Sequence, residues 1–145
     1  MKNPVLFVIA FISLLSCTEN KSEVYSTQEG AIGGYDPVEY FISQSPIKGK
    51  KEFSYEWHDA TWYFNSMENR AAFQNNPERF APQYGGYCAF GMSRGYKAET
   101  QPDAWTIVND KLYLNYNTEV KEKWFPEKEE RIPIADSTWL DIRYK

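Results

Sequence analysis

Residues Ala81 to Ala98 constrain this chain more than any other stretch: Ala-Pro-Gln-Tyr-Gly-Gly-Tyr-Cys-Ala-Phe-Gly-Met-Ser-Arg-Gly-Tyr-Lys-Ala. Four glycines (Gly85, Gly86, Gly91 and Gly95) alternate with four aromatics (Tyr84, Tyr87, Phe90 and Tyr96) around Cys88. Glycine admits positive φ or close backbone approach, and a linker would be polar. The stretch therefore predicts a tight, buried crossing. A helix over Tyr87 to Ser93 is expected to place Cys88 in its first turn.

The chain begins with a different kind of signal. Lys2 is followed by an apolar run from Pro4 to Leu15, shorter than the roughly 20 residues of a spanning helix and fitting a secretory leader. Leu14-Leu15-Ser16-Cys17 resembles a bacterial lipobox. Residues 1–17 are thus expected to be a lipoprotein signal peptide, with Cys17 acylated and the protein exported to the cell envelope. Thr18 after that cysteine favours the outer over the inner membrane. Residues 18–29 are polar and aperiodic and read as a tether.

Of the two cysteines, lipidation of Cys17 leaves Cys88 without an intrachain partner. Three readings of Cys88 stand open. It is a buried small hydrophobe; or a redox thiol, ionised readily by the helix start and partly accessible at a pocket mouth; or, with Met92 on the same face, a ligand for a soft metal ion such as copper. Gly85, Gly86 and Tyr87 belong to the same candidate site. Acidic residues outnumber basic ones, 20 to 16, and no basic stripe appears, which argues against nucleic-acid binding.

The rest of the chain suits one α+β domain built of two β-hairpin-plus-helix units on an aromatic core, aromatics being 17 % of residues. Asp36-Pro37 predicts an N-cap worth about 1 kcal/mol and a helix beginning at proline, with Glu39 reaching back as a capping box. Glu52–Trp57 and Thr61–Asn65 alternate around His58-Asp59-Ala60 as a hairpin, followed by Ser66 capping a helix over Met67 to Asn75. Ala104–Val108 and Lys111–Asn115 make a second hairpin, followed by an Asn117-capped helix that Pro126 stops. Trp62-Tyr63-Phe64-Asn65 and Leu112-Tyr113-Leu114-Asn115 align at a spacing of 50, which is either a duplication or shared strand-strand-helix grammar. Glu127 to Arg131 reads as a solvated helix face. Ile132, Ile134, Trp139, Leu140 and Ile142 are expected to dock the tail. His58, the only histidine, reads as an exposed turn residue.

Tyr35-Asp36-Pro37-Val38, Trp62-Tyr63-Phe64-Asn65-Ser66 and Asn76-Pro77-Glu78-Arg79-Phe80-Ala81-Pro82 together resemble the YHS domain. Tyr84-Gly85-Gly86-Tyr87-Cys88-Ala89, Asp103-Ala104-Trp105 and Ala135-Asp136 extend the resemblance to exported bacterial YHS-domain proteins, with residues 30–145 as the YHS-like domain. It implies an accessory binding protein more than a turnover enzyme. Metal-handling members carry cysteines where this chain has Glu39 and Asn69, and Asn65 replaces the histidine of the family name. The expected function is a membrane-anchored envelope binding protein holding a soft metal ion or small ligand near Cys88. The alternatives are a thiol-redox protein with an external partner, or a structural module without a ligand.

Overall fold

Two polar pairs, His58-Asp59 and Asn109-Asp110, reverse the chain at the tips of two antiparallel hairpins. All four residues have positive φ, 51° and 56° in the first pair and 49° and 60° in the second. That is the type I′ geometry whose twist matches the flanking strands, and Asn and Asp tolerate it better than most side chains. The computed structural model describes residues 22–145; the leader, Cys17 and the first part of the tether lie outside the described residues. Among these, β1 (Ser26–Thr27) pairs with β2 (Gly30–Ala31), β3 (Lys50–Trp57) with β4 (Ala60–Phe64), and β5 (Trp105–Val108) with β6 (Lys111–Leu114), all antiparallel. The helices are α1 (Glu39–Ile42), α2 (Met67–Asn75), α3 (Pro77–Phe80), α4 (Ala89–Met92), α5 (Thr118–Trp124) and α6 (Lys128–Ile142). The fold is α+β.

The first hairpin packs into one core, and the second stands between that core and another. In β4, Ala60, Trp62 and Phe64 point inward, and Phe73 of α2 is completely buried among Trp57, Trp62 and Phe64, with ring centroids 5.2 to 5.6 Å away. Burying a phenylalanine side chain is worth roughly 1.5–3 kcal/mol. The period of two then makes β6 a divider. Leu112 and Leu114 face this first core, while Tyr113 faces a second one and stacks on Trp124 of α5 at 5.4 Å. Ser66 accepts the Asn69 N–H at 3.1 Å and Asn117 the Val120 N–H at 2.8 Å, so both expected caps form.

The backbone repeats itself. Ile32, Gly33 and Gly34 have φ of 46°, 71° and 78°; Tyr84, Gly85 and Gly86 have 59°, 62° and 87°. Each run lies in a 3-10 turn that ends on a tyrosine, Tyr35 or Tyr87, in extended conformation. Each tyrosine is followed by a buried acceptor, Asp36 or Cys88, then by a four-residue helix, a two-residue-turn hairpin and a capped helix. Two copies of one unit, rather than shared grammar alone, account for a match this long.

Several expectations are corrected. Asp36 does not cap a helix beginning at Pro37, since α1 begins only at Glu39. Completely buried, Asp36 accepts the Val38 N–H at 2.8 Å, the Asn65 N–H at 2.7 Å and the Asn69 side-chain amide at 2.8 Å. Glu39 turns away from any capping box and accepts the side-chain amides of Asn65 and Asn69 and the Ser43 hydroxyl. One Asp36 oxygen keeps a local bond to Val38 while the other takes the tertiary donors from Asn65 and Asn69. The tether is shorter than residues 18–29, because Val24 is buried, Tyr25 donates to the Gly85 carbonyl at 2.9 Å, and β1 and β2 follow.

The Asn117-capped helix α5 ends at Trp124, ahead of Pro126, as expected. Pro126 sits in a 3-10 turn that feeds α6, a helix continuing through Pro133. Ile132, Ala135, Trp139 and Ile142 form the inner face at helical spacing. Ile134 and Leu140 do not dock; they lie off that face and stay exposed.

Loss of the Asp36 carboxylate strands buried donors from three places in the chain. Asp36→Ala is expected to destabilise the fold by about 3 kcal/mol or more, against about 1 for a lost cap. Thermal and urea melts check this, and a loss near 1 kcal/mol would return Asp36 to a capping role.

Candidate functional site

Cys88 is only 2 % exposed. It stands just before α4 rather than within its first turn, because α4 begins at Ala89. Its sulfur accepts the N–H groups of Gly91 at 3.4 Å and Tyr116 at 3.3 Å, and its S–H donates to Asn115 Oδ1 at 3.5 Å. The same Oδ1 accepts the Phe90 N–H at 3.0 Å. Burial pushes the thiol above its ordinary value, outweighing the backbone donors from Gly91, Tyr116 and Phe90 that favour the thiolate. The expected accessible, readily ionised thiol is therefore corrected in both respects. Desolvation exceeds what a four-residue helix and three amides return.

The remaining residues of the central stretch separate. Met92 follows Cys88 by one turn, as its spacing predicts, and its N–H donates to the Cys88 carbonyl at 2.8 Å, but its side chain is fully buried in the second core. Among the described residues no group of three or more His, Cys, Asp or Glu is gathered to hold a metal ion. Tyr87 donates to the Ser22 carbonyl at 2.7 Å and Gly86 accepts the Thr100 hydroxyl at 2.8 Å, so both fasten the chain's crossing. Gly85 lies elsewhere, in the wall of a cleft. A side chain there would meet the Glu23 carbonyl at 1.9 Å.

That cleft, of about 420 Å³, opens between the two repeats. Trp57, His58 and Trp62 of the first hairpin face Tyr84 and Gly85, with Asp136, Trp139 and Arg143 of the C-terminal segment and Glu23 closing it. His58 has its Nδ1 2.9 Å from Glu23 Oε2, and its ring stands edge-on to Trp57 at 4.0 Å. Nε2 has no hydrogen-bond partner among the described residues and is the nitrogen left for a ligand. The other Glu23 oxygen binds Arg143, whose Nε is 3.2 Å away. Burial raises the Glu23 carboxyl, but hydrogen bonds and charge from His58 and Arg143 lower it further, and the net direction is down. Tyr84 donates to Asp136 at 2.8 Å, and burial together with that carboxylate pushes its phenol far up, so it remains a neutral donor.

The cleft offers apolar wall from Trp57 and Trp139 and one oriented imidazole nitrogen. Ser137 also lines it but makes no hydrogen bond to His58 among the described residues, so no nucleophile–base pair is formed. His58 stands at the hairpin turn as expected, but it is partly buried and held by Glu23 rather than exposed. Glu23 lies 35 positions away, in a segment that reads as tether. None of the protein-family models, curated proteins or solved structures compared with the chain matches it.

Two outcomes follow from these geometries. In the folded protein Cys88 should resist iodoacetamide up to pH 9 and react only on unfolding; alkylation of the native state at pH 7 would restore the reactive-thiol reading. Glu23, lowered in the fold, stabilises above its ordinary carboxylate range, and that contribution is lost as pH falls through its folded pKa. The parent should therefore melt increasingly below neutral-pH values under acid, and its advantage over Glu23→Gln should shrink from pH 6 to pH 3. An advantage constant across that range would place no linkage on Glu23.

Proposed function

We propose that this chain is a membrane-anchored accessory binding protein of the cell envelope, of the exported YHS type, and that it takes a small organic molecule in the cleft between its repeats. The observation carrying this reading is His58, fixed by Glu23 in a tryptophan-walled cleft with its second ring nitrogen unengaged. A volume of about 420 Å³ falls within the range of small-molecule sites. The site still touches the central stretch, through Gly85.

The soft-metal and thiol-redox readings lose their support in the burial of Cys88 and its raised pKa. Glu39, Asn65 and Asn69, the positions the YHS resemblance singles out, lie together in hydrogen-bond contact around Asp36. Here they satisfy one another instead of offering thiols. Lipid on Cys17 supplies the membrane partner. Among the described residues no helix is long and apolar enough to cross a membrane, so attachment falls to the lipid, in the outer membrane by the Thr18 reading.

Titration of tryptophan fluorescence with a panel of small heteroaromatic compounds tests the cleft. At least one compound should quench saturably. Its Kd should weaken about tenfold in His58→Asn, equivalent to about 1.4 kcal/mol, because asparagine keeps the left-handed turn but removes the imidazole. Cys88→Ser should leave binding unchanged. An absence of saturable binding across the panel, or a loss in Cys88→Ser matching that in His58→Asn, would remove the cleft as the site.

A further inference from the structure

We infer that the end of the molecule where its first and last described residues meet is a membrane-contacting surface, with Leu140 and Tyr144 lying against the bilayer. The inference rests on the lipid-anchor reading of Cys17. Ser22 is firmly fixed: its carbonyl accepts the Tyr87 hydroxyl at 2.7 Å and the Lys97 ammonium at 3.1 Å. The same ammonium binds the carbonyls of Arg143 at 2.9 Å and Lys145 at 3.2 Å. Tyr144, between those two residues, is thereby held beside Ser22.

Only five steps of chain separate Cys17 from Ser22. Fully extended they reach about 17 Å, less than the span of the folded body. A lipid on Cys17 then cannot leave the domain free to face any direction, and the Ser22 end must stay near the headgroups. That end carries two large exposed apolar side chains: Leu140 of α6, at the rim of the cleft and 73 % exposed, and Tyr144, just past the end of α6 and 71 % exposed. Tyrosine suits the membrane interface, with an apolar ring and a polar tip. Ser66 and α2 begin at the opposite end of the first hairpin from His58, beyond the far end of β4, which is about 13 Å long.

The test uses the full-length lipidated protein reconstituted into vesicles of phosphatidylethanolamine and phosphatidylglycerol. With Cys17 acylated and Cys88 buried, a cysteine introduced at Leu140→Cys or Tyr144→Cys accepts a thiol-directed fluorophore selectively, and Glu68→Cys in α2 serves as the reference. Nitroxide-labelled lipids should quench the labels at 140 and 144 at least threefold more than the label at 68. Protein that floats with the vesicles yet quenches equally at all three positions would overturn the surface and leave the anchor standing. Protein that fails to float, with no acyl mass on Cys17, would overturn both.

Discussion

A buried acceptor set directly after a left-handed turn and a tyrosine holds each half of this chain to its own hairpin. In the first half the acceptor is the Asp36 carboxylate, which takes the backbone N–H of Asn65, the residue just past β4. In the second it is the Cys88 sulfur, which takes the backbone N–H of Tyr116, just beyond β6 and Asn115. The requirement is geometric: a strand that ends inside the molecule leaves an N–H that water cannot reach, and something must accept it. Short helices of four residues cannot stand alone; α1 and α4 persist because the acceptor before each also satisfies an N–H near its start.

The two acceptors are not equal in strength, and their surroundings differ accordingly. A carboxylate accepts charge-assisted bonds but resists burial. Asp36 accordingly sits in a network, with Glu39 close by and the side-chain amides of Asn65 and Asn69 shared between them. Burial and the Glu39 charge still leave its carboxyl raised. A thiol accepts weakly but costs little to bury. Nothing in α4 matches Glu39, its residues being Ala, Phe, Gly and Met. The Asn115 side-chain amide nitrogen is consequently left without a partner. The second half exchanges polar bonds for aromatic packing, with Tyr84, Tyr113 and Trp124 around it.

Local signals were the legible ones. Ser66 and Asn117 each cap a helix through an N–H three residues on, and the tips at residues 58 and 109 follow from strand alternation and turn chemistry; none of these needs a distant partner. The aligned strands at a spacing of 50 pointed to the repeat. Gly33-Gly34-Tyr35 and Gly85-Gly86-Tyr87, 52 apart, complete it, but their equivalence lies in the sign of φ, which the letters alone do not state. What sequence reading missed is uniformly tertiary. Asp36 looks like a cap because its partners are about 30 positions away, and Glu23 looks like tether because His58 and Arg143 lie 35 and 120 away. α6 was hidden by Pro126 before it, Pro133 within it and its charged first turn. For Cys88, the helix start and desolvation act with opposite signs, and only the depth of burial decides between them.

Glu23 joins what would otherwise be three separate features. It lies one residue after the fixed Ser22, forms a wall of the cleft, and binds both the tip of the first hairpin and the end of α6. Tyr25 then pairs with Gly85, where no side chain could fit against residues 22–25, a strap across the molecule. The strap is thus clamped at consecutive positions across the boundary between the repeats. A cleft between two packed units can widen only if they move apart, and this clamp opposes that motion on the side where residues 22–25 cross. Its strength varies with the charge on Glu23, which faces any molecule in the cleft. The cleft wall and the attachment of the strap therefore share the same two contacts, those of Glu23 with His58 and Arg143.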